Sequence, residues 1–211
     1  MGERLTRAFL DDALGASAAA VGTNSAGTHA VVGKGMNASS ALALAGLGGD
    51  PDGFCAQQLT AEMINAADLT LTMTRHHRRD VLKVAPRTMF RTYTLREAAD
   101  LLGDVNVAAL PPVRTLDERA RALVAALGAQ RATRRRKDRD ADDVFDPIRA
   151  KAEVHQQVGE QIFDALIPLL QALCGSGATR GDFREVREVR EVREVREVRE
   201  VREVREVREV R

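Results

Sequence analysis

The 211-residue chain has no apolar run near the roughly 20 residues that a bilayer-spanning helix needs. It has no excess charge of one sign either. Residues 184–211 repeat Arg-Glu-Val nine times and end on Arg211. Setting aside that tail, with its 10 Arg and 9 Glu, leaves 22 basic and 22 acidic residues. A neutral remainder calls for neither nucleic acid nor an anionic membrane as partner. Cysteine is scarce. Cys55 and Cys174, far apart, make no disulfide framework. The Ala-rich run Ala13–Val21 follows Arg4 and Arg7 but is short, and Asp11 and Asp12 break its approach, so it is not a signal peptide. Met1-Gly2 with Thr6 matches a myristoylation pattern too short to carry weight. A cytoplasmic protein is expected.

What is present is a succession of helices and short strands. Gly2–Leu14 places Leu5, Phe9 and Ala13 on one helical face. Val21–Ser25 is a strand candidate, and a small helix is expected over Ala38–Leu47. Asp68–Met73 alternates Leu69, Leu71 and Met73 with threonines, the period of a strand. Thr74 can cap a basic helix ending before Pro86. Met89–Thr94 is the third strand candidate. Thr94 and Glu97 form one capping box and Thr115 and Glu118 another, opening helices to Leu102 and to about Ala129. The charged stretch Arg131–Asp143 is expected to be a solvated loop. Lys151–Leu173 carries one apolar stripe through Val154, Val158, Ile162, Leu166, Leu169, Leu170 and Leu173, with Pro168 expected to kink its end. Strands alternating with helices imply an α/β fold with a short parallel sheet. Residues 1–174 are expected to form the domain, 175–183 a linker and 184–211 a low-complexity tail. A period of three turns valine about 60° backwards per repeat on a helix, so the tail builds no apolar stripe.

Few side chains suggest metal or nucleophile chemistry. His76 and His77 are about 100° apart on a helix and cannot share a ligand. His29 and His155 have no Cys or carboxylate at ligand spacing, so no metal site is expected. Cys174–Arg180 has the form C-x-x-x-x-x-R, but arginine is frequent here and the motif follows a helix instead of preceding one. It lacks the helix N-terminus that stabilises a thiolate. Cys55 has Ala61 at the corresponding place. Asp146-Pro147 is in itself a common turn opener.

Five segments, in order, resemble the low-molecular-weight protein tyrosine phosphatases. Ser25-Ala26-Gly27-Thr28 resembles their SAGT segment. Ala56–Thr60 is similar to A-R-Q-L-T, with Gln57 where Arg is usual. Asp68–Met73 resembles the family strand A-D-L-I-L-x-M, Asp146-Pro147 the D-P loop, and Glu153–Leu170 the last helix. The resemblance implies a three-layer α/β sandwich and hydrolysis of phosphate monoesters through a phosphocysteine, with no cofactor. Asp146 matches the general acid and Ser25 the residue that steadies the phosphate loop. The family's loop C-x-x-x-x-x-R-S-P precedes a segment like Met1-Gly2-Glu3-Arg4-Leu5, so nucleophile and phosphate-binding Arg have no match here. The expectation is a sheet lacking the family's first, central strand, a fold of marginal stability, and no activity in residues 1–211. In-frame DNA upstream of the Met1 codon would distinguish this from a non-catalytic, degenerate paralogue that binds partners. Arsenate reduction ranks lower because it needs further redox thiols. Ile148 and Arg149 stand where many members have aromatics, so the substrate is either a phosphotyrosine protein or a small phosphate ester.

Overall fold

The computed structural model of the chain describes residues 1–110, 115–133 and 142–175. Helix α1 spans Gly2–Leu14 and buries Leu5, Phe9 and Leu10. It ends at Gly15, whose φ of 53° favours glycine. A 3-10 segment, Gly15–Ala20, follows. Val21–Ser25 is not a strand. Arg7 of α1 donates to the carbonyls of Ala18 and Val21 and to Thr23 Oγ1, at 2.8–3.2 Å. Those bonds hold the segment against α1, and one of them takes the Val21 carbonyl, an acceptor that a ladder would use. The nearest sheet-like feature is an isolated parallel bridge between Gly27 and Gln58.

Helix α2 (Ala38–Gly46) is capped by Asn37, whose side chain accepts from the N–H groups of Ser39 and Ser40. A short helix, α3 (Ala61–Ala66), is additional to the expected elements; Thr60 caps it through the Met63 N–H. Strand β1 is Thr70–Thr72, shorter than the apolar alternation around it. Helix α4 (Arg75–Val84) begins at Thr74, which accepts from His77 N–H at 3.1 Å. Pro86 then opens a 3-10 turn, Pro86–Arg91, and strand β2 shrinks from the expected Met89–Thr94 to Thr92–Thr94. In the first half the carbonyls of Met89 and Phe90 accept from the Arg131 and Tyr93 side chains and not from a neighbouring strand.

Strands β1 and β2 are parallel, with Leu71 opposite Tyr93. Helix α5 (Leu95–Leu102) starts on the expected capping box of Thr94 and Glu97. Helix α6 runs Leu116–Thr133, four residues beyond the expected end, so Arg131 is helical and not part of a loop. Residues 134–141 and 176–211, including the Arg134–Lys137 cluster, Arg180 and the repeat tail, lie outside the described residues.

Helix α7 (Ala152–Cys174) is the central pillar, in contact with α1, α2, α5 and α6. The expected stripe is buried at Val158, Ile162, Leu166, Leu169 and Leu170, and Pro168 sits inside the helix without ending it. Leu5, Phe9, Leu44, Tyr93, Leu101, Leu127 and Ile162 belong to one apolar cluster, against which Leu69, Leu71 and Met73 pack. The threonines of both strands alternate to the other face. A smaller cluster joins Ile64, Val81 and Ala85. The architecture is α/β: a short parallel sheet flanked by helices, two strands among the described residues. Among those residues no helix is long and apolar enough to cross a membrane.

Candidate active site

Asp146 lies in the loop leading to α7. It is exposed, and its Oδ1 accepts from Ile148 N–H at 3.1 Å. This local bond fits an Asp-Pro turn. The root of the loop is fixed more firmly than its tip. Val144, fully buried, donates its N–H to the Met73 carbonyl at 2.8 Å, just past the end of β1. Asp143 Oδ1 accepts from Arg75 N–H, the first of α4, at 2.7 Å, and lies 3.5 Å from Arg75 Nε. Arg96 Nη1 reaches the Asp143 carbonyl at 3.4 Å. A carboxylate at a helix N-terminus meets unsatisfied N–H groups and the positive end of the dipole. Asp142 and Asp143 are therefore packed residues, contrary to the solvated loop expected there; Asp142 is buried outright.

Ser25 is held from the opposite side. Its Oγ donates to Glu3 Oε2 at 3.2 Å, in the first turn of α1. Its N–H donates to Asn24 Oδ1, and its carbonyl accepts from Gln57 Nε2 at 2.8 Å. Gln58 continues this lacing: its amide accepts from Ala30 N–H and donates to the Thr28 carbonyl. Gln57, the departure from the expected Arg, thus ties the Ser25 segment to residues 56–59.

The two residues approach the start of α1 by different routes. Ser25 reaches it through Glu3. The Asp146 loop reaches it through Met73, whose methyl carbon would lie 3.8 Å from a Cβ built on Gly2. No hydrogen bond joins Ser25 to Asp146 among the described residues. Two large apolar side chains flank Asp146, Phe145 at 63 % exposure and Ile148 at 65 %. Phe145 precedes the aspartate, whereas the family resemblance implies an aromatic after it.

Neither cysteine is set up as a nucleophile. Cys174 is the last residue of α7, and burial pushes its thiol above the usual range. The end of a helix presents carbonyls, which disfavour a thiolate. Cys55 is exposed in a loop. Three of the four histidines have ordinary partners. His76 Nδ1 is 3.1 Å from Asp80, His29 lies beside Thr28 Oγ1, and buried His155 pairs with Ser40 Oγ at 2.9 Å, joining α7 to α2. Among the described residues no three His, Cys, Asp or Glu side chains are grouped to hold a metal.

Two contributors have no local signature in sequence: Asp143 and Gln57. Their partners are 68 and 32 residues away. Only a folded chain brings them together.

Comparison with known proteins supports one lineage. Residues 1–130 match the sequence model of the family described as low molecular weight phosphotyrosine protein phosphatase, so Ser25 falls inside the match and Asp146 beyond it. No curated protein sequence matches the chain. Among solved structures, the tyrosine phosphatase Wzb from Escherichia coli K30, in complex with sulphate, is similar at 16 % identity and TM-score 0.54, over 81 % of this chain and 89 % of that one. The Erwinia amylovora tyrosine phosphatase AmsI is similar at 19 % identity and TM-score 0.51, over 81 % and 82 %. Vibrio vulnificus Wzb, in complex with benzylphosphonate, is similar at 17 % identity and TM-score 0.52, over 80 % and 88 %. At such identities the structures speak for the fold, while the family match spans well over half of the sequence: the chain belongs to the low-molecular-weight phosphotyrosine protein phosphatases.

Proposed function

We propose that this chain carries the acid–base and loop-supporting parts of a phosphotyrosine phosphatase site, and that residues 1–211 by themselves do not turn over. The supporting observations are that Ser25 bonds to Glu3 in the first turn of α1, and that the root of the Asp146 loop bonds to Met73, whose methyl lies toward Gly2 at the start of the same helix. In the proposed chemistry a thiolate attacks phosphorus, the S–P bond forms and the ester P–O bond breaks. Asp146 gives its proton to the leaving oxygen. The Asp146 carboxylate then takes a proton from the water that attacks phosphorus; the S–P bond breaks and the thiolate leaves. No cofactor enters this scheme. Ser25 acts as a positioning residue through Glu3 and α1.

The substrate class is a phosphotyrosine protein or a small phosphate ester. Phe145 and Ile148 offer apolar contact on either side of Asp146, which suits a substrate with an aromatic or aliphatic body. The proposed setting is the cytoplasm, with residues 1–174 as the domain, 175–183 as linker and 184–211 as a tail outside it.

Absence of turnover follows from the two cysteines. One is exposed in a loop, and the other sits at a helix C-terminus with its thiol pushed up by burial. The test is hydrolysis of p-nitrophenyl phosphate by purified residues 1–211. No release of nitrophenol above the buffer rate is expected. Turnover that Cys174→Ser abolishes would overturn the proposal, because Cys174–Arg180 would then be the working phosphate loop.

A further inference from the structure

The surface formed by the end of α4 and the turn after it is built to be held outward. Within seven residues, Val84 is 54 % exposed, Met89 46 % and Phe90 75 %. Arg79, Lys83 and Arg87 are exposed around them. Between Arg79 and Arg91 there are four cations and one acid, Asp80, which is already bound to His76 and to Lys83. Isolated surface apolar residues need no explanation. Three clustered large ones, rimmed by positive charge, mark a contact surface.

The turn is also fixed from behind. Arg131 Nη1 donates to the Met89 carbonyl at 3.0 Å, and Tyr93 Oη donates to the Phe90 carbonyl at 2.9 Å. Arg91 Nη2 donates to the Asn65 carbonyl. Tyr93 is completely buried, and the Arg131 guanidinium stacks 3.6 Å above its ring. With the carbonyls of Met89 and Phe90 pulled inward, their side chains face solvent on a turn that has little freedom to fold them back. Presenting anchors without an ordering cost is how rigid surfaces gain affinity. The position matters too. β1 and β2 are parallel, and α4 starts just past the end of β1, whereas the turn leads directly into the start of β2. The patch therefore lies at the opposite end of the strands from the Asp146 loop.

We infer that this surface docks an acidic protein segment, with carboxylates meeting Arg79, Lys83 and Arg87 and an apolar side chain meeting Val84, Met89 and Phe90. Charge complementarity names the partner: two of the three cations are guanidiniums, which pair with carboxylates in bidentate fashion. A membrane fits less well, because polybasic lipid-binding surfaces gather roughly four to eight cations, and here one of three is already paired. The inference is independent of the phosphatase chemistry, since it uses no residue of that site.

The test uses the full chain and a short fluorescein-labelled peptide with glutamates around a Leu-Leu pair, followed by anisotropy. Binding that weakens as salt rises is expected. Phe90→Ser combined with Met89→Ser should weaken it about tenfold or more, and Arg79→Glu with Arg87→Glu should abolish it. All four positions are exposed, and thermal melts of the variants check that folding is kept; if one pair fails to fold, the other still decides. Absence of peptide binding to the parent chain overturns the inference, and so does binding that both variant pairs retain. Binding to phosphatidylserine vesicles that the variants lose, without peptide binding, would assign the patch to a membrane instead.

Discussion

At the scale of single residues, Arg131 ties together more of the molecule than its place in sequence suggests. It donates Nε to Glu97 Oε1 at 3.0 Å and Nη2 to Glu97 Oε2 at 2.8 Å, a bidentate pair. It also donates to the carbonyls of Met89 and Thr92 and covers Tyr93. Both charged groups are largely withdrawn from water, with 22 % and 11 % of their side chains exposed. Removing one partner of such a pair costs far more than an exposed ion pair contributes. Arg131→Ala should therefore destabilise the fold by about 2–4 kcal/mol, read from urea denaturation. Arg131→Lys should recover only part of this, because an ammonium cannot bond both carboxylate oxygens in the same plane. A loss under 0.5 kcal/mol would mean that the pair contributes no more than an exposed one. In sequence Arg131 stands at the head of a charged run that implies a loop. Nothing near it in the chain reveals a buried carboxylate 34 residues upstream.

At the scale of elements, what sequence reading captured best was capping. Thr94 accepts from Glu97 N–H at 3.1 Å, and the Glu97 side chain accepts from Thr94 N–H at 3.3 Å, as the spacing implies. This box also ends β2, so one residue closes a strand and opens a helix. Thr94 is completely buried. Thr94→Ala should cost about 1–2 kcal/mol, measured by thermal or urea unfolding, whereas Thr94→Ser should keep most of the bond. Equal losses for Ala and Ser would show that the methyl group matters and the cap does not. The long helices were legible because their stripes repeat with the helical period. The strands were less legible: each has three residues, too few for alternation to mark an end. Val21–Ser25 has strand composition, but Arg7 bonds its Val21 carbonyl and its Thr23 hydroxyl to α1 instead, a tertiary effect overriding propensity.

At the scale of the whole molecule, Tyr93 gives a direct reading of integrity. It is the only tyrosine, and tryptophan is absent. Burial raises its phenol above the usual 10, with the nearby Arg131 charge partly opposing. A folded pKa above the unfolded one means that the folded state keeps a proton the unfolded state loses. Stability is then full below pH 10 and falls as pH rises above it. The ultraviolet signal of ionised tyrosine should stay flat past pH 10 and rise together with loss of helical circular dichroism. Titration near 10 in a chain that keeps its helices would contradict the buried placement. Tyr93→Phe should shift alkaline unfolding to higher pH, offset by loss of the bond to the Phe90 carbonyl.

By itself the sequence determined the α/β character, the spans of α1, α4, α5 and α7, the caps at Thr74 and Thr94, and the likeness to a phosphatase family. These are matters of short range: periodicity, capping and motif order act over a few residues. Only the tertiary structure decided that Asp143 anchors the Asp146 loop to α4, that Gln57 laces Ser25 in place, and that Arg131 and Tyr93 hold Met89 and Phe90 outward. The Asp143–Arg75, Gln57–Ser25 and Arg131–Met89 bonds join groups 68, 32 and 42 residues apart, which only the folded chain brings within reach of one another.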